Sequence, residues 1–141
     1  MAAALSSSGA DGVLAIGGGS PLDAAKLAVV LSENGGDCRD YKAPVLTDTP
    51  PTLPMVAVPT TAGTGAEVTR YAVVTDSESG EKMLCAGAAF VPAACLVDGA
   101  LADGSPSTLT ADVGVDALCH AMEAFVSRKN SPLSDGFALD A

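Results

Sequence analysis

An α/β fold with a parallel sheet, running into a helical segment, is what this sequence predicts. Three observations carry the expectation. A short apolar run, Val13-Leu14-Ala15-Ile16, passes through Gly17-Gly18-Gly19 into a helical pattern from Leu22 to Leu31. A second apolar run, Met55-Val56-Ala57-Val58, leads into a loop of hydroxyls and glycines, Pro59 to Glu67. From Ser107 the pattern is helical, with Leu109, Val113, Ala117 and Ala121 at helical spacing. Unbroken apolar runs of this length suit the strands of a parallel sheet, which are covered on both faces.

Taken in order, Met1 to Gly9 reads as the tail of a helix, with Ala2-Ala3-Ala4-Leu5 as good helix formers and Gly9 as its stop. Asp11-Gly12 turns into the first strand. In the stretch that follows, Ser20 is expected as N-cap, Pro21 as the first helical residue, and Asp23 as the acidic partner of a capping box. Asn34-Gly35-Gly36 ends this helix. Four prolines between Asp37 and Pro54 argue against regular structure there. Tyr71 to Val74 and Lys82 to Ala86 flank the turn Asp76-Ser77-Glu78-Ser79-Gly80 as a hairpin. Ala93 to Asp98 reads as another buried strand, and Gly99 to Pro106 as a linker. Ser131-Pro132-Leu133-Ser134-Asp135 opens a last helix with cap, N1 proline and early acid. A chain that starts in a helix tail and stops early in a helix reads as a piece of a larger protein.

Composition narrows the function classes. The 141 residues, 48% of them hydrophobic, suffice for one domain with a real core. A formal net charge of −10 argues against nucleic acid or an anionic membrane as partner. No apolar run reaches the roughly 18 residues of a membrane-spanning helix. Cys38, Cys85, Cys95 and Cys119 lack metal or disulfide-scaffold spacing, so reduced thiols in the cytoplasm or an organelle matrix are expected.

Three motifs carry chemistry. At a helix N-terminus, unpaired N–H groups and a partial positive charge favour a phosphate, and glycines let the backbone approach it. The glycine turn therefore reads either as a pyrophosphate cradle or as a tight strand-to-helix turn. Neither G-x-G-x-x-G nor a P-loop is matched. Ligands of open parallel sheets bind at the carboxyl ends of strands. Thr60, Thr61 and Thr64 should therefore face the same crevice, unless they only bond their own backbone. Lys82 is either a cofactor contact or a solvated charge. Asp116 and His120, the sole histidine, stand four apart on one helix face. They read as two corners of a divalent-metal site or as a surface pair. Val113, Ala117, Ala121 and Ala124 give them an apolar setting.

The stretches Gly17 to Lys26, Pro59 to Thr69, Asp116 to Phe125 and Asn130 to Asp135 resemble those of the iron-containing (group III) alcohol dehydrogenases. The resemblance covers nearly the whole chain. It implies a fragment from the middle of the family's chain: part of a Rossmann-like parallel-sheet nucleotide-binding domain, residues 1–105, then the first helices of an all-α metal-binding domain, residues 106–141. It implies that Gly18, Gly19 and Ser20 lie on the pyrophosphate, that Thr60, Thr61 and Thr64 line the nicotinamide cofactor, and that Lys82 and the segment Leu101 to Ser105 contact it. Asp116 and His120 match the first two ligands of the catalytic metal. Two more histidine ligands would lie downstream, and a ribose-reading portion upstream. Gly99, Asp103, Asp112 and Val113 depart from the family's pattern.

The implied activity is hydride transfer between an alcohol and an aldehyde or ketone, with NAD or NADP and a divalent cation, iron foremost and zinc as the alternative. A cation beside an alcohol oxygen favours its deprotonation, and the protein positions the nicotinamide. The implied partners are a small-molecule alcohol or aldehyde and further copies of the parent protein in a homo-oligomer. Two rivals stay open. One is a relative of the glycerol-dehydrogenase or dehydroquinate-synthase type; the other is a catalytically silent nucleotide-binding fragment.

Overall fold

The computed structural model describes residues Met1–Ala141. Its elements, in chain order, are α1 (Ala2–Ser8), β1 (Val13–Gly17), α2 (Gly19–Asn34), β2 (Met55–Pro59), β3 (Tyr71–Thr75), β4 (Lys82–Ala86), β5 (Ala94–Cys95), α3 (Ser107–Val126) and α4 (Pro132–Asp140). Strands β1, β2 and β5 form a parallel sheet in that order. Strands β3 and β4 form a separate antiparallel hairpin, with Val73 opposite Leu84. The mixed α/β class with a parallel sheet and following helices is the one the sequence predicts.

Helix α2 is the centre of the molecule. Leu22, Ala25 and Val29 recur on one side and pack with Ala15, Met55, Ala57 and Ala66 of the sheet layer. Leu27 and Val30 face the other way and pack with Ala72, Cys85, Ala89 and Phe90 beneath the hairpin. The helix is therefore a filling between sheet and hairpin. Full burial of one Leu, Val or Phe contributes about 1.5–3 kcal/mol, so these two clusters dominate the stability of the fold.

Register decides where the loops emerge. Gly17 pairs with Pro59, the last residue of each strand, so the glycine turn and the threonine loop leave the sheet on the same rung. Strand β5 runs parallel to them, and the segment containing Leu101 and Ser105 follows it toward the same edge.

Several local expectations need correction. The N-cap of α2 is Gly18, and its side-chain-less position makes no cap bond. Ser20 lies inside the first turn, because the helix starts as soon as Gly18 leaves its extended conformation. Asp23 forms no capping box; its carboxylate turns away from the helix end to accept from the Val73 amide at 2.9 Å. The proline-rich segment is not wholly irregular. Asp37 and Asp40 cap a 3₁₀ turn over Cys38–Tyr41, which local acids can nucleate without a long helix.

The strand expected from Ala93 to Asp98 shrinks to Ala94–Cys95, and both residues are exposed. It is an edge strand that pairs only with β2. One face of the sheet is likewise open, with Leu14 65% and Ile16 57% exposed. The apolar runs are as expected for two-sided cover, but α2 covers one side only. No helix is long and apolar enough to cross a membrane.

Candidate functional site

The site is built where β1 and β2 end. The amide of Thr60 donates to the Gly17 carbonyl at 3.0 Å, which extends the pairing one step beyond the strands. The two loops then pack face to face. A methyl group added at Gly18 would meet Thr61 Cγ2 at 3.2 Å, and one at Gly19 would meet Thr64 Cγ2 at 3.0 Å. Glycine allows this close approach between backbone and threonine; a methyl group would make the threonines give by a few tenths of an ångström, and a branched side chain by more.

Chemically, this junction suits a phosphate. The first amides of α2, those of Gly19 and Ser20, have no partner within the helix. No acidic side chain stands in its first turn. The hydroxyl oxygen of Thr61 is buried and has no hydrogen-bond partner. A buried unpaired hydroxyl is costly, and a ligand oxygen would satisfy it. Thr64 Oγ1 accepts from the Ala66 amide at 3.3 Å, so that threonine also shapes its own turn. Gly18, Gly19, Ser20, Thr60, Thr61 and Thr64 thus come together, and they fit a dinucleotide's pyrophosphate.

The other expected residues lie on other elements. Lys82 is exposed on β4 opposite Thr75, and its ammonium has no ion-pair partner. Leu101 is 42% exposed, and the Ser105 amide donates to the Ala102 carbonyl at 3.0 Å. Leu101 ends a turn over Gly99–Leu101 that the Asp98 carboxylate caps at the Ala100 amide, and Ser105 closes the turn after it. Neither Leu101 nor Ser105 makes a hydrogen bond to the two loops.

Asp116 and His120 do face each other on α3, with Oδ1 and Nε2 3.6 Å apart. Their side chains are 46% and 53% exposed, so they are half in water rather than enclosed by apolar neighbours. The apolar setting lies to one side only: His120 borders an open cleft of about 350 Å³ with Ala117, Ala121, Ala124 and Phe137. Gly63 of the threonine loop also lines this cleft. A methyl group at Gly63 would strike the Val113 carbonyl, so the loop sits directly on α3. The threonine loop and the helix that carries Asp116 and His120 are therefore in contact. A carboxylate and an imidazole form a suitable pair of donors for a divalent cation, and no group of three or more His, Cys, Asp or Glu gathers in the structure.

The sequence reading missed a charged network behind the loops. Lys26 is 2% exposed, and its ammonium donates to Tyr71 and Thr69 carbonyls at 2.8 and 3.1 Å. Burial pushes its pKa down, and the neighbouring Asp23 carboxylate opposes that push. Asp23 Oδ1 lies 3.3 Å from Nζ in ion-pair contact, without hydrogen-bond alignment. The spacing of Asp23 and Lys26, one turn apart amid apolar neighbours, was the available signal. A second network joins Arg39 to Asp76, with Nε 3.0 Å from Oδ2, and ties the 3₁₀ turn to the hairpin.

Comparison with known proteins agrees with the geometry. Residues 1–99 match the family model described as iron-containing alcohol dehydrogenase, and residues 110–141 match that of the family's C-terminal part. The chain is 44% identical to the probable alcohol dehydrogenase EutG of Escherichia coli K12, over 99% of this chain and 35% of that protein. It is 41% identical to lactaldehyde reductase of the same organism, over 95% of this chain and 35% of that one. Among solved structures, a 1,3-propanediol oxidoreductase superposes with a TM-score of 0.90 at 38% identity, over 98% of this chain and 36% of that chain. A sulfoacetaldehyde reductase from Bifidobacterium kashiwanohense, solved with NAD+, gives 0.89 at 35% identity, over 97% and 36% of the two chains. The chain thus spans about a third of the length of these relatives. With its two family models matched over residues 1–99 and 110–141, the chain belongs to the iron-containing alcohol dehydrogenases.

Proposed function

We propose that this chain forms the central part of an NAD- or NADP-dependent alcohol dehydrogenase that interconverts a small alcohol with an aldehyde or ketone. The observation that carries the proposal is the packing of Gly18 and Gly19 against Thr61 and Thr64, with the Thr61 hydroxyl buried and unpaired. Gly18, Gly19 and Ser20 bind the pyrophosphate through backbone amides, and Thr60, Thr61 and Thr64 direct hydroxyls along the cofactor. Lys82, Leu101 and Ser105 add contacts once the cofactor spans the edge of the sheet. Asp116 and His120 hold one side of a divalent cation, iron or zinc, and two ligands must come from outside residues 1–141.

When bound, the nicotinamide accepts or returns hydride, and the cation polarises the substrate oxygen. The cleft beside His120 receives the substrate's carbon chain, and the contact of Gly63 with α3 fixes the distance between cofactor and metal regions. We divide the chain at residues 105 and 106, where strand-bearing structure gives way to α3. The parent protein acts as a homo-oligomer; four free cysteines are consistent with a reducing location, the cytoplasm or an organelle matrix. The names of the relatives favour alcohol and aldehyde substrates over the lyase and glycerol readings.

Calorimetric titration of the chain with NAD and with NADP tests the cradle. Weak binding is expected from the wild type and none from Gly19→Val, whose branched side chain would push Thr64 away. Equal heats from wild type and Gly19→Val would overturn it.

A further inference from the structure

The threonine loop is clamped at both ends to the same β1–α2 unit. At its start, the Thr60 amide bonds the Gly17 carbonyl. At its end, Lys26 donates to the Thr69 carbonyl at 3.1 Å, to Thr69 Oγ1 at 3.2 Å and to the Tyr71 carbonyl at 2.8 Å. Asp23 adds a bond from the Val73 amide at 2.9 Å, so alternate residues 69, 71 and 73 are all hooked to one face of α2. An ammonium has three donors, and all three are spent on this segment. Lys26 therefore has none left for a ligand.

Between its clamped ends the loop is held to the rest of the molecule by packing, with Ala66 in the core beside α2 and Gly63 on α3, and not by hydrogen bonds of its own. The Val68 and Thr69 amides bond the Gly65 carbonyl at 3.1 and 3.2 Å, which curls the loop without fixing it to anything else. A buried ion pair is a poor source of stability, because apolar residues of equal volume fill such space at least as well. What the pair supplies is direction. We propose that Lys26, with Asp23 as its counter-ion, is a positioning residue that seats Thr61 and Thr64 against Gly18 and Gly19 and so sets the affinity of the cradle. The consequence for affinity rests on the nucleotide reading above; the seating of the loop does not.

The test uses the whole chain and a double variant, Asp23→Asn with Lys26→Met, which removes both charges at constant volume and keeps an acceptor for Val73. Two readouts are taken: amide hydrogen exchange at Val68 and Thr69, and NADH fluorescence titration. The double variant leaves the Thr69 and Tyr71 carbonyls without their ammonium donor, so its urea midpoint is expected to fall modestly. Exchange at Val68 and Thr69 is expected to rise about tenfold or more beyond any rise at Val29 and Val30 in α2, the effect of losing one hydrogen bond from a charged group. NADH affinity is expected to fall by a similar factor. Unchanged exchange at Val68 and Thr69 would overturn the proposal, as would faster exchange with unchanged NADH affinity. A wild type without NADH binding would sink the nucleotide reading, and the exchange arm would still decide the seating. If the double variant does not fold, Thr69→Val makes the same comparison, with faster exchange at Val68 in support and unchanged exchange against.

Discussion

Helices α2 and α3 are both rich in apolar residues, yet α2 buries eight residues in 16 and α3 buries none in 20. Helix α2 lies between two layers that the chain itself supplies. Helix α3 rests on the threonine loop through Val113 and on α4, while Val115, Leu118, Met122 and Phe125 remain roughly half exposed. Periodicity makes a segment a helix; burial depends on what else arrives. The two regions therefore differ in how much their stability is their own. The first carries two core clusters, and the second presents an apolar surface suited to further helices.

The sharpest way to break this contrast is a matched pair of truncations. Phe90→Ala removes a side chain 1% exposed and is expected to cost about 3–5 kcal/mol by urea unfolding. Phe125→Ala removes one 47% exposed and is expected to cost about 1 kcal/mol or less. Similar costs would show that α3 is packed as tightly as α2.

The contact between the regions gives the next effect. Gly63→Ala drives a methyl group into the Val113 carbonyl, so loop or helix must shift at a cost of about 1–3 kcal/mol. Chemical shifts of α3 amides near Val113 are expected to move with those of the loop. Movement of the loop alone would mean that α3 is not seated on it.

The smallest effect concerns acid. The Ser79 hydroxyl, the Glu78 amide and the Arg39 guanidinium hold the Asp76 carboxyl down to about 2, from an ordinary 3.8. A lowered folded-state pKa contributes its full stability above the unfolded value and loses it as pH falls toward the folded one. The loss should therefore fall between pH 3.8 and about 2. Arg39 is 46% exposed, so solvent screens the pair. Asp76→Asn is expected to flatten the decline in hairpin stability over that range, followed by circular dichroism. Parallel declines would remove the carboxylate from the account.

Much of this was legible in the sequence. The strand starts Val13 and Met55, the hairpin from Tyr71 to Ala86 and the cap at Ser131 follow local rules that the tertiary structure does not oppose. The shared crevice was legible too, because parallel strands force their loops to one edge. The start of α2 was not, since Ser20 and Gly18 both make acceptable caps and the local pattern does not choose between them. The exposure of β5 and of the Asp116–His120 pair was also hidden. Exposure depends on neighbours that no local pattern names. The Lys26 network was hidden for a related reason: three of its acceptors are backbone or hydroxyl oxygens about 45 residues away, and acceptors of that kind leave no mark in composition.

The shared rung of Gly17 and Pro59 also sets what can change length. One residue inserted into β2 would carry the three threonines about 3.3 Å past the glycines and turn every following side chain to the other face of the sheet. A residue added between the exposed positions 49 and 50, outside both loops, would be absorbed locally. The same fold thus holds one length as fixed as a gauge block and another as free as slack rope, and descendants of this chain can lengthen only where the slack is.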